Sequence, residues 1–368
     1  MPPLHVLPSV PHAPSAPPAP PLGALLRRFS AGSPLTCEPV DQGLLNRGYR
    51  LCTTRGRYFL KHHFDPDTAD PAAIARQHRA TERLAGLGVP VAPPLPGRDG
   101  RTVAVVGGSA YALHPWVDGR HRHGGQLTTD QCGRLGALLG AVHAGLERVM
   151  PPHEHHAGPC GANPDPGDPY GAPADAGPLA ESADPADTFA LIDDLLTRVR
   201  RRRPPTSFDE LARHRLRERR VLLERYGDRR PARGGPVGWV HGDFHPFNVL
   251  YRGGAPIAIV DWDRLGVQPR AEEAVRAAAI FFVGPAGTLD LPKVRAYARA
   301  YRRTTGAAPA ELAAAVHRVW WERLNDFWML RWHYERGDTR ADPQFPAASA
   351  LAVWWTREYD AVRDAFSG

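Results

Sequence analysis

Lysine is nearly missing from this 368-residue chain: of 46 basic side chains only Lys61 and Lys293 are lysines, the rest being arginine. With abundant Ala, Pro and Gly, that bias reads as a coding habit. A net charge of +7 therefore does not by itself point to nucleic acid, and each retained lysine becomes a candidate for chemistry that arginine does not supply. Cysteine is also scarce. Cys37, Cys52, Cys132 and Cys160 have no CxxC spacing, which excludes a disulfide scaffold and fits a reducing, cytoplasmic setting. No apolar run approaches the roughly 18 residues of a membrane span. No early basic cluster precedes an apolar stretch, so no secretory leader is expected. No internal repeat is visible.

What remains is ample for a folded core. Hydrophobic residues make up 42% and charged residues 23%, ordinary globular usage, and the length suits two domains or one large bilobal one. The excess of proline and glycine is concentrated in residues 1–22, expected to be a disordered tail, and in 150–186, expected to be a long surface insertion.

Between these stretches the patterning is regular. Leu25–Phe29 is expected to begin a short helix. Tyr49–Thr53 and Arg57–His62 flank Arg55-Gly56 and read as a hairpin. Residues 70–87 read as a helix with Asp70 as N-cap and Pro71 in the first turn. Thr102–Val106 and Ser109–His114, joined by Gly107-Gly108, make a second hairpin. Pro115 breaks the pattern. Thr128–Leu146 then carries Leu135, Leu138, Leu139 and Val142 at helical spacing. Helices are expected at 187–203 and 207–226, strands within 238–263, and helices again from 270 to 367.

The chemistry lies in the strand island. His241-Gly-Asp-Phe-His-Pro-Phe-Asn248 precedes one apolar strand, and a second ends in Ile259-Val-Asp-Trp-Asp263. The intervening Arg252-Gly253-Gly254-Ala255 is a turn, so Asn248 and Asp261 meet near the open end of a hairpin, on a strand spacing of roughly 4.8 Å. An amide oxygen and a carboxylate so placed suit a hard cation such as Mg2+, which also binds substrate phosphates. Asp243, five residues before Asn248, is placed to orient an acceptor hydroxyl and accept its proton. That is the order of parts in phosphoryl transfer. Alone, each residue reads more simply as a cap or a turn residue; the combination carries the argument.

These residues resemble the aminoglycoside phosphotransferase / choline kinase-like family, whose catalytic loop HGDxHxxN is matched without exception by His241–Asn248 and whose D-[FW]-[DE] metal motif is matched by Asp261-Trp262-Asp263. The resemblance spans residues 36–336 apart from the insertion. It implies an α+β, bilobal protein-kinase-like fold: a nucleotide-binding N-lobe (23–114), a linker (115–119), and a mainly helical C-lobe (120–368) holding the catalytic loop and acceptor site. The implied activity is transfer of the γ-phosphoryl group of Mg-ATP to a hydroxyl of a small molecule such as an aminoglycoside, amino alcohol or sugar. Asp243 is then catalytic, Asn248 and Asp261 hold Mg2+, and Lys61, at the end of an apolar strand, holds the α/β-phosphates. His241, His245 and Asp263 are supporting residues.

Other parts of the resemblance are looser. Gly43–Gly48 has GxxxxG spacing without the Lys-Ser/Thr of a Walker A loop; by resemblance Asn46 and Gly48 approach phosphate. His114, Trp116 and Val117 offer backbone groups to the adenine edge, since Pro115 has no N–H. The helix glutamate that usually pairs with the strand lysine is replaced by Gln77. His143 is expected to support the catalytic loop. Partners are a small-molecule acceptor, with no nucleic acid and no membrane; the sequence sets no oligomeric state. The alternatives are a nucleotide-binding pseudokinase or regulatory module and, more weakly, a basic nucleic-acid-binding protein. His153-Glu-His-His156 lacks metal-site spacing. Arg200–Arg203 suits a helix C-terminus. Trp320, Leu324, Trp328 and Trp332 read as core rather than ligand surface, although the neighbouring acids Glu322, Asp326, Glu335 and Asp338 keep a cationic acceptor in view.

Overall fold

The computed structural model describes residues 19–40, 46–63, 69–150, 181–232 and 234–368. Most of the expected tail, Gly43, the 153–156 histidine cluster, Cys160 and residues 151–180 of the expected insertion lie outside the described residues. The chain divides into two compact units, Met1–Ala75 with Pro94–Trp116, and Arg76–Pro93 with Val117–Gly368.

The first unit holds α1 (Leu22–Phe29), β1 (Pro34–Val40), β2 (Arg47–Thr53), β3 (Gly56–His63), the start of α2 (Pro71–Gly86), β4 (Ala104–Val106) and β5 (Ser109–Pro115). The strands form one antiparallel sheet in the order β1-β2-β3-β5-β4. Leu25, Leu26 and Phe29 of α1 pack with Leu51, Leu60 and Leu113 on one face of the sheet, so α1 closes a core the strands leave open. α2 starts as its sequence dictates. The Asp70 carboxylate accepts the N–H groups of Ala72 and Ala73, each at 3.0 Å, and Ile74 packs on Val103 and Ala110. The edge strand β1 was not expected. It carries Pro34 and Pro39, which disqualify an interior strand but are tolerated at an edge.

The second unit is mainly helical. It comprises α3 (Thr129–Val149), α4 (Pro185–Arg201), α5 (Ser207–Tyr226), β6 (Val237–Val240), β7 (Val249–Arg252), β8 (Ala255–Ile259), β9 (Gly266–Pro269), α6 (Arg270–Phe282), α7 (Leu291–Thr305), α8 (Pro309–Asn325), α9 (Trp328–Arg331), α10 (Phe345–Arg357) and α11 (Tyr359–Ser367). Thr128 and Gln131 cap α3 reciprocally. The ends of the 150–186 stretch belong to helices rather than to an insertion: Met150 caps α3, and Pro185 opens α4 behind the Asp184 N-cap. Glycines 133, 136 and 140 of α3 face α7, and a Cβ on Gly136 would lie 2.1 Å from the Tyr297 carbonyl oxygen. The helix backbones meet there without side chains between them.

Trp320, Leu324, Trp328 and Trp332 are all buried. Their spacing crosses a break between α8 and α9, where the Asp326 carboxylate accepts the Trp328 N–H at 3.1 Å. The nearby acids are largely committed to arginine: Glu322 to Arg276, Glu335 to Arg331 and Asp338 to Arg340. Among the described residues, no helix is long and apolar enough to cross a membrane.

Candidate functional site

Two short antiparallel ribbons shape the loop between β6 and β7. β6 pairs with β9, setting Trp239 opposite Val267 and Val240 opposite Gly266. β7 pairs with β8, setting Val249 opposite Ile259. The Val260 N–H then donates to the Asn248 carbonyl at 2.9 Å. Asn248 and Asp261 thus leave adjacent strand ends, as the hairpin arithmetic requires. Asp261 has φ 59°, a left-handed conformation that Asp tolerates better than most residues. The chain turns there through Trp262, whose indole N–H donates to the Ile259 carbonyl at 3.1 Å.

Gly242 has φ 84°, and a Cβ on it would lie 2.0 Å from the Arg264 carbonyl oxygen; only glycine fits between His241 and Asp243. His241 is fully buried. Its Nδ1 accepts the Asp243 N–H at 3.2 Å, so Nε2 carries the proton and donates to the Val260 carbonyl at 3.0 Å. Burial lowers its pKa against the pull of Glu273 and Asp243, which keeps the ring neutral. His241 thereby ties the loop that carries Asp243 to the end of the strand before Asp261.

The Asp243 carboxylate receives the Asn248 side-chain N–H at 3.2 Å and lies 3.4 Å from His245 Nε2. Burial pushes the carboxyl upward, but the hydrogen bond and charge of His245, with the charge of Arg264, hold it below the usual range. Asn248 also donates to the Asp243 carbonyl at 2.8 Å. With its nitrogen so engaged, the amide turns its oxygen away from Asp243. An oriented amide oxygen and the Asp261 carboxylate are hard donors on neighbouring strand ends, and they fit Mg2+.

Sequence reasoning missed what holds this loop from below. Glu273, in the first turn of α6, is 2% exposed. Its carboxylate accepts the main-chain N–H groups of Gly242 and His241 and lies 2.6 Å from His143 Nε2. His143 Nδ1 in turn meets the Tyr301 hydroxyl at 3.0 Å. Burial raises the Glu273 carboxyl, but His143, His241 and the Gly242 N–H together lower it, so it is ionised. His143 therefore reaches the loop through Glu273. Adjacent acids at 272 and 273 look like ordinary helix N-terminal charges; only partners about thirty or more positions away reveal the clamp. Gln77 does not leave the metal motif alone either: its side-chain N–H donates to the Asp263 carbonyl at 2.9 Å.

In the first unit, Lys61 of β3 lies in register between Gly48 of β2 and Ala112 of β5, and is 9% exposed. Gly48 is a strand residue, and a Cβ there would meet the Phe59 ring at 2.5 Å. Asn46 directly precedes β2. In the linker, β5 runs on to Pro115, with His114 opposite Phe59. The Trp116 N–H donates to the Arg57 carbonyl at 3.1 Å. That group was expected to be offered to an adenine edge and is already committed, because Trp116 prolongs the ladder.

A five-stranded antiparallel unit, a mainly helical unit and a His-Gly-Asp loop tied to a metal-motif hairpin define the protein-kinase-like fold in its small-molecule form. Residues 36–307 match the model of the phosphotransferase enzyme family (APH), and the chain belongs to that family. It is 27% identical over 143 residues to a homoserine kinase of Acidiphilium cryptum (strain JF-5); the match covers 39% of this chain and 44% of that protein, so the chain spans less than half the length of this curated relative. Two solved structures share the fold across nearly the whole chain. One is an amicoumacin kinase in complex with AMP-PNP and Ca2+, with TM-score 0.59 and 16% identity over 93% of this chain and 92% of that one. The other is a microcompartment-associated aminopropanol kinase, with TM-score 0.58 and 17% identity over 94% and 99%.

Proposed function

We propose that the protein transfers the γ-phosphoryl group of ATP to a hydroxyl of a small molecule. The observation that carries this reading is the Asp243–Asn248 pair: an ionised carboxylate hydrogen-bonded to the amide whose oxygen it orients, in a loop fixed by His241 and Glu273. Asp243 orients the acceptor hydroxyl and takes its proton. The acceptor oxygen bonds to the γ-phosphorus as the bond to the β–γ bridging oxygen breaks, and ADP leaves with that electron pair. Asn248 and Asp261 would hold Mg2+, which neutralises charge on the phosphate oxygens when bound. Because such a transition state asks little covalent chemistry of the protein, positioning supplies most of the rate.

The remaining roles belong to the same proposal. Lys61 holds the α/β-phosphates, and Asn46 and Gly48 border them. His114 and Val117 supply backbone contacts to the base, with Val117 taking the donor role that Trp116 has committed to Arg57. Gln77 hydrogen-bonds without the charge of the usual glutamate, and through Asp263 it steadies the metal motif. The division into a nucleotide-binding part (23–114), a linker (115–119) and an acceptor-binding part (120–368) is proposed with these roles. A cytoplasmic setting agrees with Cys37, Cys52 and Cys132, which are all free thiols. The relatives are named for homoserine, aminopropanol and amicoumacin, which supports a small hydroxyl-bearing acceptor.

The test is ligand linkage. ATP or a nonhydrolysable analogue, with Mg2+, raises the melting temperature at millimolar concentration, and omitting Mg2+ reduces the rise. No rise with either ATP or GTP would overturn the reading.

A further inference from the structure

A cleft of about 310 Å³ opens beside the end of α1, and Arg27, Arg55 and Arg98 line it around Ser30. That is the lower end of the range of small-ligand pockets, roughly 300–1,000 Å³. Among the described residues no acidic side chain lines it. Two of the arginines are aimed by Ser30: Arg55 Nη1 donates to its carbonyl at 2.7 Å and Arg98 Nε to its hydroxyl at 2.9 Å. A guanidinium carries five N–H donors, and each of these two uses one there. Arg27 makes no hydrogen bond or ion pair among the described residues, whereas Arg28 beside it is paired with Asp99 at 2.7 Å. The helix end does not occupy these side chains either. The Leu26, Arg27 and Arg28 carbonyls accept the main-chain N–H groups of Ala31, Ser30 and Arg98 at 3.0, 3.4 and 2.9 Å.

The frame is fixed. Ser33 N–H donates to Thr54 Oγ1 at 3.1 Å, and Thr54 N–H returns a bond to the Ser33 carbonyl at 3.0 Å. Gly32 has φ 87°, and a Cβ on it would lie 2.5 Å from Thr54 Oγ1, so the chain after α1 lies flat on the turn that carries Arg55. The cleft is also apart from the lysine assigned to the ATP phosphates. α1 covers the sheet face that holds Leu60, and the next residue of β3, Lys61, points to the opposite face.

We infer that this cleft is a second anion site, which binds a small phosphorylated ligand through Arg27, Arg55 and Arg98. Three like charges gathered without a counter-charge repel one another, and an anion between them reverses the sign of that interaction. The planar guanidinium fork matches phosphate oxygens in particular. The Ser30 hydroxyl, which accepts from Arg98, keeps its own proton to donate. The space beside Pro34 takes the rest of the ligand. The inference uses no residue of the catalytic loop and does not rest on the phosphotransferase reading.

The experiment is calorimetric titration of the full-length protein, without nucleotide or Mg2+ and at fixed ionic strength, with inorganic phosphate, pyrophosphate and ribose 5-phosphate, and with acetate as control. The expected result is a Kd below about 1 mM for at least one phosphate probe and no measurable binding of acetate. Ribose 5-phosphate binding tightest marks an organic phosphomonoester as the ligand; pyrophosphate binding tightest marks an inorganic one. Arg98→Gln should raise the Kd about tenfold and Arg27→Gln about threefold. Arg27 has no partner in the fold to lose, so its variant keeps the test valid should Arg98→Gln unfold. Arg101→Gln, which makes the same charge change at an exposed position outside the cleft, should leave the Kd as it is, and so should Lys61→Ala. No phosphate probe binding to the wild type, an equal loss from Arg101→Gln, or a loss from Lys61→Ala without one from the cleft variants would each overturn the inference.

Discussion

Glu273 shows how a residue without motif status shapes one with it. Its ionised carboxylate holds two main-chain N–H groups of the His241–Asn248 loop, those of His241 and Gly242. Glu273→Gln keeps the size but turns one acceptor oxygen into a donor group facing donors. The expected cost is about 1.5–3 kcal/mol, the scale of a hydrogen bond to a charged group, read from the denaturant midpoint, with a drop in turnover as the loop loosens. The pH dependence follows from sign. The folded pKa is depressed, so the stability Glu273 contributes is complete above its unfolded value of about 4.3 and is lost as pH falls through the lower folded value. The gap between wild type and Glu273→Gln should therefore narrow below about pH 4; a gap constant down to the acid transition would contradict it. Gly242→Ala should cost about 1–3 kcal/mol from its backbone conformation alone, with the clash against Arg264 added. The loop residues themselves were legible because their spacing is local and their types are chemically specific. Glu273 was not, because burial and partners thirty or more positions away are properties of the fold. The scarcity of lysine was half a guide: Lys293 donates to the Gly124 carbonyl, while Lys61 sits on the strand the resemblance chose.

At the scale of elements, caps and turn chemistry were readable and edges were not. Asp70 and Thr128 sit where an N-cap must, with α2 and α3 beginning one residue later, and α5 begins at the expected Ser207. β1 was invisible because two prolines mask a strand whose exposed edge tolerates them. The tryptophan spacing looked like one helix face but spans two helices, because local periodicity does not register a break at Asp326. The α3–α7 contact was likewise unread: glycine inside a helical pattern looks like weakness until its neighbour is known. Gly136→Ala should destabilise by about 1–3 kcal/mol, the cost of overpacking, since its Cβ has no room beside Tyr297. Gly125→Ala, which meets nothing within 4 Å, should change stability by less than about 0.5 kcal/mol. Equal effects from the two would mean that the helix contact is not close.

For the whole molecule, composition and pattern indicated an α+β chain with a β-rich beginning and a mainly helical remainder, and the structure has both. The reading was possible because period-two and period-3.6 segments are separated by Pro115, where the chain changes character. The central claim is phosphoryl transfer with Asp243 as the base, and transfer of labelled γ-phosphate from ATP to an acceptor tests it most directly. Wild type should label an acceptor. Asp243→Asn should reduce labelling about 10²–10⁴-fold, the scale of a positioned general base, while Mg-ATP still stabilises the protein. Asp261→Asn should weaken labelling and Mg2+-dependent stabilisation together. Near-wild-type labelling by Asp243→Asn, or a wild type that binds ATP and labels nothing, would contradict the account and leave the loop as the frame of a regulatory nucleotide-binding protein.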